Sequence, residues 1–180
     1  MTLYTATLYI HLLSAFALFI GFGLEWTASA LFRRATTAEQ ARAWIRVYRV
    51  SPPISGPALA VVILSGGYLA SVIGAMKQGW IPATLIAIAI AVLLGIVINV
   101  PRLGAIRKAL PAGDELLSGE VRARLQDRLL ATSVRLRICI AAGIVYLMAS
   151  KLPFAPSMLV LTMAVIAGLL LSIPAWMAKA

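Results

Sequence analysis

The sequence predicts an all-α protein, a polytopic transmembrane helical bundle of five spans, and three observations carry that prediction. Of its 180 residues, 62% are apolar and 12% charged, against roughly half and a quarter in a soluble domain. Five stretches approach the roughly 20 apolar residues that cross about 30 Å of hydrocarbon. The basic residues gather in two connectors between those stretches. A water-soluble globule is excluded, because 16 bases and 6 acids supply too little polar surface. Cys139 is the single cysteine and closes no internal disulfide; with one histidine, no Cys/His zinc cluster can form.

The expected spans cover residues 4–31, 53–76, 81–100, 131–152 and 157–177. The first run, Leu3 to Phe32, is interrupted only by His11 and Glu25. Its start, Met1-Thr2-Leu3-Tyr4, lacks the basic region of a cleavable signal peptide, so it is expected to stay in the mature protein. The second and third runs, Pro53 to Met76 and Ile81 to Val100, carry no charge. The fourth reaches full length only if Arg135 and Arg137 snorkel to the headgroups. Pro174 should kink or end the fifth, and a four-span variant arises if the last two segments form a hairpin.

Charge placement predicts orientation, since basic residues near span ends mark the cytoplasmic side. All but Lys77, Lys151 and Lys179 fall in two connectors. Arg33, Arg34, Arg42, Arg46 and Arg49 follow the first run; Arg102, Arg107, Lys108, Arg122, Arg124, Arg128, Arg135 and Arg137 lie between the third and the fourth. Five spans then place the N-terminus outside and the C-terminus, with Lys179, inside. The net charge of +10 is accounted for by topology and anionic headgroups, with no nucleic-acid partner.

Both basic connectors contain helix signals. Thr37-Ala38-Glu39-Gln40 reads as a capping box opening an amphipathic helix over 38–50. Arg42, Arg46 and Arg49 form one face, Ala41, Trp44, Ile45 and Tyr48 another, until Ser51-Pro52-Pro53 stops the pattern. Its arginines are candidates for docking lipid or a protein partner. In the second connector Asp114 is placed to cap a helix over 114–130, with Leu117, Val121, Leu125 and Leu129 at intervals of four and Glu120 paired to Arg124. That helix is expected to run on into the fourth span as one rod.

Small residues spaced by four let helices approach closely in a bilayer. Gly66, Ala70 and Gly74, then Ala87, Ala91, Gly95 and Asn99, then Ala164, Gly168 and Ser172 follow that spacing. They predict a compact bundle, with some faces open to homo-oligomerisation.

Ionisable groups in hydrocarbon need a partner or a task. His11 and Glu25 lie 14 positions apart, about 40° around the axis and about 21 Å along it. They share a face with Ser14, Ala15, Leu18, Phe22 and Ser29, which should point into the bundle. Glu25 reads as the buried partner of Arg102, Arg135 or Arg137, as a protonated acid, or as a proton or ion site. His11 reads as an interfacial imidazole or as a metal or haem ligand. A second haem ligand would come from Met76, Met148, Met158, Met163, Lys151 or a second subunit. Asn99 reads as bonded to a neighbouring helix or to backbone freed by Pro101. No nucleophile with a base, paired carboxylates or phosphate loop is recognisable, which argues against an enzyme built from side chains alone.

Leu8-Tyr9-x-His11, then Gly21-Phe22-Gly23 leading to Arg33-Arg34, resembles the first helix of bacterial predicted integral membrane proteins of unknown function. Leu147-Met148-Ala149-Ser150-Lys151-Leu152-Pro153 is similar to their Leu-Met-x-x-Lys-Pro ending, with Leu152 inserted. More distantly, the first helix resembles copper-resistance-D-type proteins and the membrane protoporphyrinogen oxidase, where a first-helix histidine binds haem. The resemblance implies a bacterial cytoplasmic membrane and makes haem on His11 an expectation to test.

Three functions follow from the residues and the resemblance. The leading one is a non-catalytic accessory or binding module, with lipids, a protein partner or a second copy as its company. One alternative is a haem-binding redox protein using His11. The other is a proton- or ion-coupled transporter using Glu25 and Asn99.

Overall fold

The computed structural model describes residues 2–113 and 115–177. They form an all-α bundle, as expected, in which five helical stretches are long and apolar enough to cross a membrane. Asp114 and Lys179 lie outside the described residues. The chain is built as a multi-pass membrane protein.

Helix α1 (Leu3–Phe32) begins where the Thr2 hydroxyl accepts from the Thr5 amide. Its face bearing His11, Phe22, Glu25 and Ser29 is buried, while Leu12, Leu13, Phe16 and Ile20 are exposed where lipid would lie. Helix α2 (Ala38–Val72) opens at Thr37, whose hydroxyl accepts from the Gln40 amide. Gln40 reaches back to the Thr36 amide, one residue earlier than a strict capping box.

Two expectations for α2 need correction. Residues 38–50 are not a separate surface helix, and Ser51-Pro52-Pro53 does not stop it, since Pro52, Pro53 and Pro57 lie inside one helix of 35 residues. Opening the backbone in an apolar surround would strand more polar groups than three missing N–H donors do. The buried stripe Tyr48, Ser51, Ser55, Ala58 and Val62 is also continuous through the prolines. At 1.5 Å per residue α2 is about 52 Å long, so its basic first third projects beyond the hydrocarbon.

Helices α3 (Trp80–Leu94) and α4 (Val100–Ala109) join through a π-helical turn, Gly95–Asn99. The third span therefore continues past the expected end at Val100-Pro101. Pro101 follows directly on the π turn, which bonds the Val100 amide to the Gly95 carbonyl and carries the helix past the missing Pro101 N–H.

The expected rod over 114–130 is also broken. Helix α5 (Gly119–Leu125) starts at Ser118 and stops at Gln126; α6 (Arg128–Ser150) begins anew at Asp127. Asp127 accepts from the Leu130 amide at 2.9 Å and pairs with Arg102 at 2.5 Å, a more favourable arrangement than continuing the helix through it. Glu120 and Arg124 do pair, at 3.0 Å. Helix α7 (Phe154–Met177) passes through Pro174 without ending and packs along α6.

The two basic connectors meet at one end of the bundle. Residues 37 and 116 bridge, and the Ala38 amide bonds the Glu115 carbonyl. Phe32, Ile45, Tyr48, Ile106, Leu125 and Val134 form one core beneath them, while Trp80, Ile140, Leu147 and Leu161 anchor a second at the opposite end. Arg42 turns inward to the carbonyls of Pro111, Ala112 and Gly113, so it is a clamp and not a free docking group; Arg46 and Arg49 are exposed. Arg42→Met should lower stability by about 1–2 kcal/mol. It should also raise proteolysis of the 109–118 connector, and unchanged cleavage there would count against the clamp.

The small-residue faces are used within the chain. Gly66 lies against His11, Gly95 against Arg137, and Gly168 against the Leu136 backbone. Gly74 instead ends α2 in the left-handed conformation, φ 67°.

Candidate functional site

The polar groups of the bundle interior converge on one cavity. Its volume is about 300 Å³, and α1, α2, the α3–α4 helix and α6 all contribute walls. Leu18, Phe22, Leu59, Ile88, Ala141 and Ile144 make it largely apolar. Ile96 and Val100 on its rim are 61% and 66% exposed on the bundle flank, so the cavity opens sideways, where lipid would be.

Glu25 and Arg137 close its basic end. Glu25 is buried and Arg137 mostly so, and Arg137 Nη1 donates to Glu25 Oε2. The other carboxylate oxygen accepts from Ser51 Oγ at 2.8 Å, and Ser55 Oγ donates to Ser51 at 3.1 Å. Among the three arginines offered by the sequence, Arg102 is bound to Asp127, and Arg135 lies over the Trp26 ring at 5.9 Å. Arg137 does not snorkel: its guanidinium lies over Phe22 at 5.0 Å and faces inward, where the buried carboxylate offers a stronger partner than distant headgroups. Gly95 on the π turn permits this, since a Cβ there would sit 3.3 Å from Arg137 Cζ.

Asn99 is buried beside them. Its Nδ2 donates to Tyr48 Oη at 3.0 Å, the neighbouring-helix bond that the sequence suggested. Asn99 Oδ1 and Arg137 Nε are buried without a hydrogen-bond partner among the described residues, so one acceptor and one donor remain unsatisfied at this end.

His11 lies at the far end of the same cavity and is buried within the bundle. Ser65 Oγ sits 3.0 Å from its Nδ1 and donates to the Val61 carbonyl at 2.5 Å. The serine therefore accepts from Nδ1–H, which in a neutral imidazole makes Nε2 the bare nitrogen. A Cβ on Gly66 would come within 3.0 Å of the imidazole Cε1.

The cavity thus joins His11, Glu25 and Asn99, which the sequence singled out separately, and excludes Lys151. Lys151 is exposed at the end of α6, in the left-handed conformation at φ 50°, and does not line it. Tyr48, Ser51 and Ser65 were missed as site residues. Their signal was polar side chains recurring on one face of α2, hidden by reading 51–53 as a helix stop.

Haem meets a mixed fit. The bare Nε2 of His11 and the presence of Met148 on the same cavity suit axial ligation, but about 300 Å³ is at the bottom of the range for ligand sites and too small for a tetrapyrrole. The described residues contain no cluster of three His, Cys, Asp or Glu side chains for a metal. Glu25 and Arg137 balance each other, and a paired carboxylate is poorly suited to carrying a free proton or cation. No protein-family model, curated protein or solved structure matches this chain.

Proposed function

We propose that this chain is a non-catalytic binding module of a membrane, whose lateral cavity holds a lipid-soluble small molecule by its uncharged polar end. The observation that carries this reading is the pairing of an apolar, side-opening cavity with an unsatisfied donor and acceptor at its closed end. Asn99 and Arg137 line the cavity, and their unpartnered Oδ1 and Nε are the acceptor and donor that a ligand hydroxyl, amide, carbonyl or ether would engage on a small side-chain turn. The balanced Glu25–Arg137 pair favours a neutral head over an ion. The positive-inside rule puts the basic end in the cytoplasm and the N-terminus outside, which suits a bacterial cytoplasmic membrane.

Protein purified in mild detergent should carry a neutral lipid-soluble compound at near-equimolar ratio, read by mass spectrometry of an organic extract. Filling the mouth with Ile96→Trp should deplete it, with Asn99→Leu as a second variant that removes the acceptor. The same extract from all three proteins would refute the reading. A Soret band lost in His11→Ala would overturn it in favour of haem. Proton or ion flux in proteoliposomes abolished by Glu25→Gln would favour the transporter.

A further inference from the structure

A second, independent pocket lies at the basic end, away from the cavity. It has a volume of about 300 Å³ and is lined by Arg33, Arg34, Arg135, Trp26, Ser29 and Pro174 among others, from α1, its C-terminal continuation, α6 and α7. Three guanidinium groups border it and no acidic side chain does. The nearest carboxylate, Asp127, is committed to Arg102 and to the Leu130 amide. Arg33 spends one nitrogen on the Asp127 carbonyl at 2.9 Å. Arg135 has a buried Nη1 with no partner among the described residues. Burial first, and then the like charge of Arg135, hold the Arg33 guanidinium below its ordinary value, with Asp127 opposing and Arg128 adding.

Like charges drawn together from two elements, the end of α1 and α6, with a buried donor unmet, are stabilised by an anion. The remaining walls decide which kind. Trp26, Ala30, Pro174 and Ala175 form an apolar side, and the pocket sits where α1 ends its apolar run. That is the level of phosphates and of interfacial tryptophan in a leaflet. A free phosphate would leave the apolar side unused; a phosphodiester attached to glycerol and acyl chains would cover it. We propose that Arg33, Arg34 and Arg135 seat the phosphate of one anionic phospholipid between α1, α6 and α7. Basic pockets between helices are the established chemistry for such headgroups. The seat differs from Arg46 and Arg49, which are exposed on α2 and do not line the pocket.

Delipidated protein in an uncharged maltoside detergent tests this by native mass spectrometry and thermal shift. The probes are dioleoylphosphatidylglycerol, dioleoylphosphatidylcholine and inorganic phosphate. One phosphatidylglycerol should be retained per chain and raise the melting temperature, with phosphatidylcholine retained far less. Arg135→Gln and Arg33→Gln should each weaken retention by about tenfold, the loss of one charge-assisted contact. Arg46→Gln with Arg49→Gln should leave it unchanged, and Arg135→Lys, which keeps the charge, should recover part if Arg135→Gln proves unstable. Equal retention of the two lipids, or retention indifferent to Arg33 and Arg135, overturns the proposal. So does inorganic phosphate matching phosphatidylglycerol at the same concentration, which would make the site one for a soluble anion.

Discussion

Arg137→Gln is expected to destabilise the protein by about 3–5 kcal/mol, the range for stripping one partner from a buried ion pair. Glu25 would be left buried, with the Ser51 hydroxyl as its main donor and its one ion-pair partner among the described residues removed. Glu25→Gln should cost less, because Arg137 retains its position over Phe22 and can turn toward the opening. The double change Glu25→Gln with Arg137→Gln removes both charges and should recover most of the loss of the Arg137 variant. Unfolding in mixed detergent and denaturant reads all three. If the double variant falls by the sum of the singles, to within about 0.5 kcal/mol, the two residues are not coupled and the closed end of the cavity is wrongly assigned. The pair also fastens α1 to α6 across 112 positions of sequence, so its loss should increase hydrogen exchange along α6 first.

Gly79→Ala is expected to cost about 1–3 kcal/mol through overpacking. The start of α3 lies directly against the start of α7, and a Cβ on Gly79 would overlap the Phe154 amide nitrogen and come 2.7 Å from its Cα. Those atoms are backbone, so relief requires shifting a helix end rather than turning a side chain. Gly67→Ala is the internal comparison, since a Cβ there meets nothing within 4 Å. It sits inside α2, where Ala is favoured over Gly by roughly 0.5–1 kcal/mol. Thermal melting should therefore move in opposite directions for the two variants. A Gly79→Ala protein as stable as wild type would mean that α3 and α7 do not meet backbone to backbone there.

The sequence located much of the site in one dimension and little of it in three. His11 and Glu25 were legible because a titratable side chain in an apolar helix stands out against its surroundings, and their shared face follows from helical period alone. Asn99 was legible as a polar amide ending an uncharged apolar run. Which arginine meets Glu25 was not, since Arg102, Arg135 and Arg137 are all near the basic end, and only the crossing of α1 with α6 selects among them. The serines of α2 were illegible for a different reason. Ser51-Pro52-Pro53 read as a break, whereas the cost of opening a backbone in an apolar setting keeps the helix whole and brings Ser51 to Glu25, Ser55 to Ser51 and Ser65 to His11.

What the chain determined by itself is the all-α class, the five apolar stretches and the gathering of its positive charge, because hydrophobic length and charge placement are local properties of the string. The packing decided everything that depends on two distant segments meeting. It joined the two basic connectors through Arg42 and the 37–116 bridge, buried His11 on Ser65, and left Asn99 Oδ1 and Arg137 Nε without partners among the described residues. Side-chain partnership is a property of helix crossings, and no periodicity along one helix encodes which neighbour arrives at its polar face.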